Sequence, residues 1–272
     1  MQATSRESQR ALRERFDADT ASTAPAALRT IGDELAAVGG VLADNRSLAR
    51  HLADFSSEEP ARTGLVGRLF EGKVGAQTLA LLQETVKLRW SRPSDLLESI
   101  ELLSRHALLS VAERENALDE TEDELFRFGR LLGSENRLRD LLSDRSVPAQ
   151  RRIELLHSLV QGKAGRSTVD LLEQAVRHGR GRHLDQLVEQ LAELAASRRQ
   201  RSVAHVTAAA PLSAAQETRL VQVLSRIYGR TMSLQVDVDP AVLGGLVVRV
   251  GDEVIDGSVA SRMAKAEHGL PS

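Results

Sequence analysis

Residues 65–82 read LVGRLFEGKVGAQTLALL, and residues 155–172 read LLHSLVQGKAGRSTVDLL. Leu65, Leu69, Gly72, Lys73, Gly75, Thr78, Leu81 and Leu82 recur 90 positions later as Leu155, Leu159, Gly162, Lys163, Gly165, Thr168, Leu171 and Leu172. Extended without a gap, residues 44–97 and 134–187 share 17 of 54 positions. Chance in so Leu-, Ala- and Arg-rich a chain gives roughly five, so the segment is duplicated. A solenoid unit is about 20–50 residues long, so a period near 90 makes each copy a small domain.

Within each copy the apolar spacing is helical. Ser56 with Glu59 reads as a capping box ahead of Leu65, Val66, Leu69 and Phe70. Gly72 reads as the residue just past that helix. Leu79, Leu82, Val86 and Trp90 mark the next helix, and Pro93 opens one bearing Leu96, Leu97, Ile100 and Leu103. In the second copy, Asp119 reads as the cap of a helix bearing Leu125, Phe128 and Leu132. Pro148 opens the helix of Ile153, Leu156, Leu159 and Val160, and Leu187, Leu191, Leu194 and Ala195 form a last long stripe. The Ala/Ser/Thr-rich segment from Ala18 to Ala27, around Pro25, reads as a loop.

Beyond residue 200 the period changes. Val203, His205 and Thr207 alternate with small residues, as do Leu234, Val236 and Val238 with polar ones. These are strand patterns. Between them Ser213, with Gln216 three positions on, caps a helix striped with Leu220, Leu224 and Ile227 and stopped by Gly229. Leu246, Val248 and Val250 lead through Gly251-Asp252 to Val254-Ile255, a hairpin pattern. The expected architecture is mainly α, with two tandem helical bundles (1–104 and 105–199) before a small α+β domain (200–272).

The 272 residues include 36 basic and 38 acidic ones, a formal net charge of −2. Sequence-independent nucleic-acid binding needs a basic excess, and none exists. Cysteine is absent, which excludes disulfides, thiol nucleophiles and thiolate metal ligation. No apolar run approaches membrane-spanning length, and no secretory signal is visible in residues 1–20. Seven aromatic residues leave the core to Leu, Val and Ala, which suits closely packed helices without a large cofactor pocket. Arginine outnumbers lysine 32 to 4, a bias read as base composition.

Gly67 to Val74 has the G-x-x-x-x-G-K spacing of a phosphate loop. Yet Val74 stands where Ser or Thr would hold magnesium, a helix rather than a strand precedes it, and His157 replaces the first glycine in the second copy. A helix–helix turn is the reading. The basic run Arg177 to His183 lacks interleaved aromatics and reads as a solvated loop. The acidic run Glu120, Glu122, Asp123 and Glu124 sits at a helix start, where the dipole favours it. The histidines show no H-x-x-x-H pair. No cofactor, metal or direct nucleotide binding is expected.

The run from Asp239 to Val259 is different in kind: Asp239-Pro240, Gly244-Gly245, a strand with Arg249, Gly251-Asp252, then Asp256-Gly257-Ser258. It resembles the signature of the delta subunit of F-type ATP synthase, called the oligomycin sensitivity conferral protein in mitochondria. Val206–Ala210 and Pro211-Leu212-Ser213 resemble that family's upstream strand and helix start. Residues 105–199 resemble its six-helix amino-terminal domain. The extra copy, 1–104, is similar to long delta chains of high-GC actinobacteria, some of which are fused to a membrane-anchored b-type helix; here b is expected as a separate chain. The resemblance implies a non-catalytic stator subunit on the cytoplasmic face of the bacterial plasma membrane. Its helical domain would bind amino-terminal helices of alpha subunits, and its carboxy-terminal domain the peripheral-stalk b subunit. Placed by helix order, the family's alpha groove would involve Leu108, Val111, Ala112, Leu171, Leu172, Ala175 and Val176. Leu81, Leu82 and Val86 of the first copy would either make a second groove or pack only internally. The other reading is a helical-repeat adaptor outside the synthase.

Overall fold

The computed structural model describes residues 1–179, 182–228, 232–239, 242, 244–251 and 253–258. The chain divides into two compact units, Met1–Ala195 and Ala196–Ser272.

The first unit is built from helices: α1 (Ala3–Asp19), α2 (Pro25–Asp44), α3 (Arg46–Ala53), α4 (Glu59–Phe70), α5 (Ala76–Lys87), α6 (Pro93–Arg114), α7 (Leu118–Ser134), α8 (Asn136–Ser143), α9 (Ala149–Val160), α10 (Arg166–His178) and, as far as Ala195, α11 (Leu184–Ser202). The duplication is visible in their lengths. Both α3 and α8 have 8 residues, and both α4 and α9 have 12. Its hydrogen bonds repeat as well. The carboxylate of Glu34 accepts from Gly75 N and from the Thr78 hydroxyl, at the start of α5. Ninety positions on, Glu124 accepts from Gly165 N and the Thr168 hydroxyl at the start of α10. In each copy a carboxylate on the second helix therefore satisfies orphan donors at the start of the fifth.

Gly72 and Gly162 have φ of +74° and +69°, the left-handed residues that end α4 and α9. Gly67 to Val74 is accordingly the last turn of α4 and the turn into α5. Two helix starts differ from the sequence reading. Asp54 accepts from the amide and hydroxyl of Ser56, at 3.0 and 2.6 Å, so Ser56 belongs to an Asx turn and α4 starts later, at Glu59-Pro60. Leu118 rather than Asp119 leads α7, behind Asn116 at φ +54°. The loop around Pro25 shrinks to residues 20–24, because Pro25 is itself the first residue of α2.

The expected boundary at 104/105 falls inside α6. No glycine or proline interrupts α6 after Pro93, and sixteen of its 22 residues are buried. A helix buried on all sides faces more than one core. Leu96, Leu97, Ile100, Leu103, Ala107 and Val111 pack with α1–α5, whereas Leu108, Leu109 and Ala112 pack with α7–α11. One helix thus closes the first copy and opens the second.

In the second unit, strands β1 (Val203–Ala208), β2 (Ser233–Val238), β3 (Leu246–Val250) and β4 (Glu253–Asp256) lie in the order β2-β1-β3-β4. β1 runs parallel to β2, antiparallel to β3, and β3 pairs antiparallel with β4. A parallel pair needs a crossover, and α12 (Ala214–Tyr228) supplies it. Ser213 and Gln216 form the expected capping box: Ser213 N donates to Gln216 Oε1 (2.8 Å) and Gln216 N to Ser213 Oγ (3.4 Å). Ala204, Val206, Val248 and Val250 of the sheet and Leu224 of α12 form its core.

Candidate partner-binding surfaces

The seven residues expected to line a helix-binding groove are interior. Leu108, Ala112, Leu171, Leu172, Ala175 and Val176 belong to the second core, and Val111 to the first. None is more than 7 % exposed. Leu81, Leu82 and Val86 are likewise in the first core. The cause is helical phase. The apolar stripe of α10 packs on its own bundle, and its polar positions Asp170 and Gln174 meet the next element.

That next element is α2. The Ser104 hydroxyl of α6 lies within hydrogen-bonding distance of two acceptors, Gly32 O (2.7 Å) and Gln174 Oε1 (2.9 Å), joining α2, α6 and α10 at one point. A Cβ on Gly32 would lie 3.2 Å from Leu108 Cδ2 and 3.3 Å from Ser104 O, so glycine sets the approach of α2 to α6. Arg29 of α2 donates two parallel bonds to Glu115 (3.0 and 2.8 Å) and a third from Nε to Asp170 (3.2 Å). Burial holds the Asp170 carboxyl above its usual range despite Arg29, and the Glu115 hydrogen bond raises the Arg29 guanidinium. At the other end of α10, burial and then neighbouring Arg177 push the His178 imidazole below its ordinary value. Of the basic run, Arg182 bonds Glu101 of α6 at 2.9 Å, while Arg180 and Gly181 lie outside the described residues. In the acidic run, Glu124 is the buried acceptor at the start of α10, a role the sequence reading missed. The equal spacing of Glu34–Thr78 and Glu124–Thr168 was its only signal.

The second unit offers an apolar groove of about 510 Å³ between α12 and the chain around β1 and β3. Pro211, Leu212, Leu220, Val223 and Leu246 line it. Val223 is 43 % exposed and Ile227, on the same helix, 61 %. The signature residues build the turn beside it. Gly244 and Gly245 have φ of +76° and +86°, and a Cβ on Gly245 would meet Gly257 O at 2.5 Å. Gly257 N donates to Leu246 O (2.9 Å), and Ser258 N to Asp256 Oδ1 (2.9 Å). Arg249 sits in β3 opposite His205 and Val254, and Asp239 N donates to Ala208 O. Gly251, at φ +58°, turns the β3–β4 hairpin. Pro240 and Asp252 lie outside the described residues. The signature is therefore a folding device: the double glycine lets two backbone segments pass in contact. Among the described residues, no His/Asp/Glu cluster is placed to hold a metal, and no helix is long and apolar enough to cross a membrane.

The family model described as ATP synthase delta (OSCP) subunit matches residues 106–270. The chain belongs to that family. ATP synthase subunit delta of Streptomyces griseus is 46 % identical over 266 residues, covering 98 % of each chain. The corresponding subunit of Streptomyces coelicolor is 44 % identical over 272 residues. ATP synthase subunit b-delta of Mycobacterium sp. strain KMS is 48 % identical over 271 residues, and this delta-family chain spans 61 % of its length. The Streptomyces griseus match extends beyond residues 106–270 and takes in the duplicated helical region.

Proposed function

We propose that this chain is the non-catalytic stator subunit joining the catalytic head of an F-type ATP synthase to its peripheral stalk. Proton-driven rotation would then be coupled to ATP synthesis on the cytoplasmic face of a bacterial plasma membrane. The observation that carries the reading is the end-to-end similarity to proteins named ATP synthase subunit delta. A stator must hold against torque, and the helical unit suits that role: two cores share α6, and α2 is pinned to the second copy by buried and charge-assisted bonds.

The helical unit binds amino-terminal helices of alpha subunits in this reading. With the seven stripe residues in the interior, the seat moves to α1 and α5. This pair is the first-copy counterpart of α6 and α10, which together hold a helix, α2. The second unit binds the end of a b subunit through the apolar groove beside α12, helix in groove. The name b-delta given to the Mycobacterium relatives, in which both parts form one polypeptide, supports that pairing.

Calorimetric titration tests both contacts. The full chain is titrated with the amino-terminal helix peptide of the cognate alpha subunit, then with the carboxy-terminal segment of cognate b. Saturable binding of each is expected. A folded chain that binds neither overturns the assignment in favour of an adaptor outside the synthase.

A further inference from the structure

The duplicated unit contains the same helix pair twice: α1 with α5, and α6 with α10. On the second pair a helix is already seated. We infer that the seat between α6 and α10 is permanently closed by this chain's own α2, so that a partner helix finds one such seat on the chain and not two. This deepens the proposed function and, for the identity of the partner helix, rests on it.

Three observations carry the inference. The fit is intimate: Gly32 brings α2 onto Leu108 and Ser104, and Ser104, 1 % exposed, bonds both Gly32 O and Gln174. The fit is also specific to this seat. Arg29 is anchored on Asp170, and Gln174 reaches Gly32 O. Their first-copy counterparts, 90 positions earlier, are Ala80 and Glu84. The α1–α5 seat therefore lacks the partners that hold an α2-like helix and calls for an occupant of different chemistry.

The third observation separates a permanent occupant from a lid. The opposite face of α2 carries Leu28, Ile31, Leu35, Val38 and Leu42, none above 4 % exposed and all in the first core. All five would have to leave that core for α2 to detach from the unit. Pulling α2 away from both α6 and α10 would therefore mean withdrawing it from the first core as well. A helix held on both faces does not swing open for a competitor.

The chain has no cysteine, so one introduced thiol reports unambiguously. Ser104→Cys places it beneath α2, and Ser47→Cys on exposed α3 is the control. Thiol alkylation of each full-length variant is timed with and without saturating alpha-subunit helix peptide, and the binding stoichiometry is measured alongside. The expected result is alkylation at position 104 about 100-fold or more slower than at 47, as for a site opened only by global unfolding. Peptide should leave that rate unchanged and bind one per chain. Alkylation at 104 as fast as at 47, acceleration by the peptide, or two peptides per chain would overturn the closed seat. A peptide that does not bind at all refutes the alpha-docking reading, while the alkylation rate without peptide still decides whether the seat is closed. If Ser104→Cys fails to fold, hydrogen exchange of the α2 amides in the unaltered chain, with and without peptide, decides in its place. Protection equal to the slowest core helices in both conditions supports closure, and peptide-induced loss of protection overturns it.

Discussion

Glu124 and Gly245 show how much rests on single side chains here, and on the absence of one. Glu124 is 7 % exposed and accepts from Gly165 N through both oxygens. Glu124→Ala strands the Thr168 hydroxyl and the first amides of α10, and an unsatisfied buried polar group costs about 1–3 kcal/mol. The urea midpoint read from the fluorescence of Trp90, the only tryptophan, should fall accordingly if the helical unit unfolds cooperatively. The equivalent Glu34→Ala should cost less, because Glu34 is only half-buried. At Gly245 the side chain is the problem. Gly245→Ala forces a left-handed alanine, a strain of about 1–3 kcal/mol, and drives its Cβ into Gly257 O. Faster hydrogen exchange of the β1 and β3 amides should follow, with the Trp90 midpoint unmoved.

Helices respond to glycine according to what faces them. Gly67, inside α4, has nothing within 4 Å of its absent Cβ. Gly67→Ala should stabilise the chain by about 0.5–1 kcal/mol through backbone entropy and helix propensity. A phosphate loop would instead lose function when its first glycine changes. Gly32, inside α2, is tight against α6, and Gly32→Leu should destabilise by about 1–3 kcal/mol through overpacking. Differential scanning calorimetry of the two variants should show melting temperatures moving in opposite directions. On α12, Val223 and Ile227 are exposed, so Val223→Asp with Ile227→Asp should leave the fold intact. Loss of such apolar anchors should weaken binding of the b segment about 10- to 100-fold by calorimetry.

At the scale of the whole helical unit, the junction of the two copies is sensitive to acid. His178 sits on α10 near Gly40 of α2, facing Arg177, Glu101 and Asp44. Its folded pKa lies below the unfolded value of about 6.5. Below that value the unfolded chain takes up a proton that the folded one refuses, so stability is lost as pH falls through this window and levels off beneath the folded pKa. The difference in urea midpoint between wild type and His178→Gln, measured from pH 7.5 to 5, should shift toward the variant on acidification. The shared helix also dictates where the chain can be cut. Removal of residues 1–104 would cut through α6, whereas removal of 1–92 keeps α6 whole; either one strips α2 from Leu108.

Much of this was legible in residue order, because it is governed by local rules. The 90-residue echo showed the duplication, since identical side chains recur wherever identical contacts must be made. Gly72, Pro93, Pro148 and the Ser213–Gln216 box marked helix ends through backbone chemistry that needs no distant partner. The run from Asp239 to Val259 carried the family, and within it Gly245 lies so close to Gly257 O that a Cβ would clash. What residue order left open was which apolar face meets which neighbour. Leu108 and Val111 look alike in a helical stripe, yet one packs in the second core and the other in the first. The groove placed on Leu171, Leu172, Ala175 and Val176 was the bundle interior, because a docking stripe and a core stripe have the same period. Residue order thus carries the helices, the duplication and the family. That α6 belongs to both copies and that α2 packs on α6 and α10 emerges from long-range packing, because those contacts join residues some 70–140 positions apart.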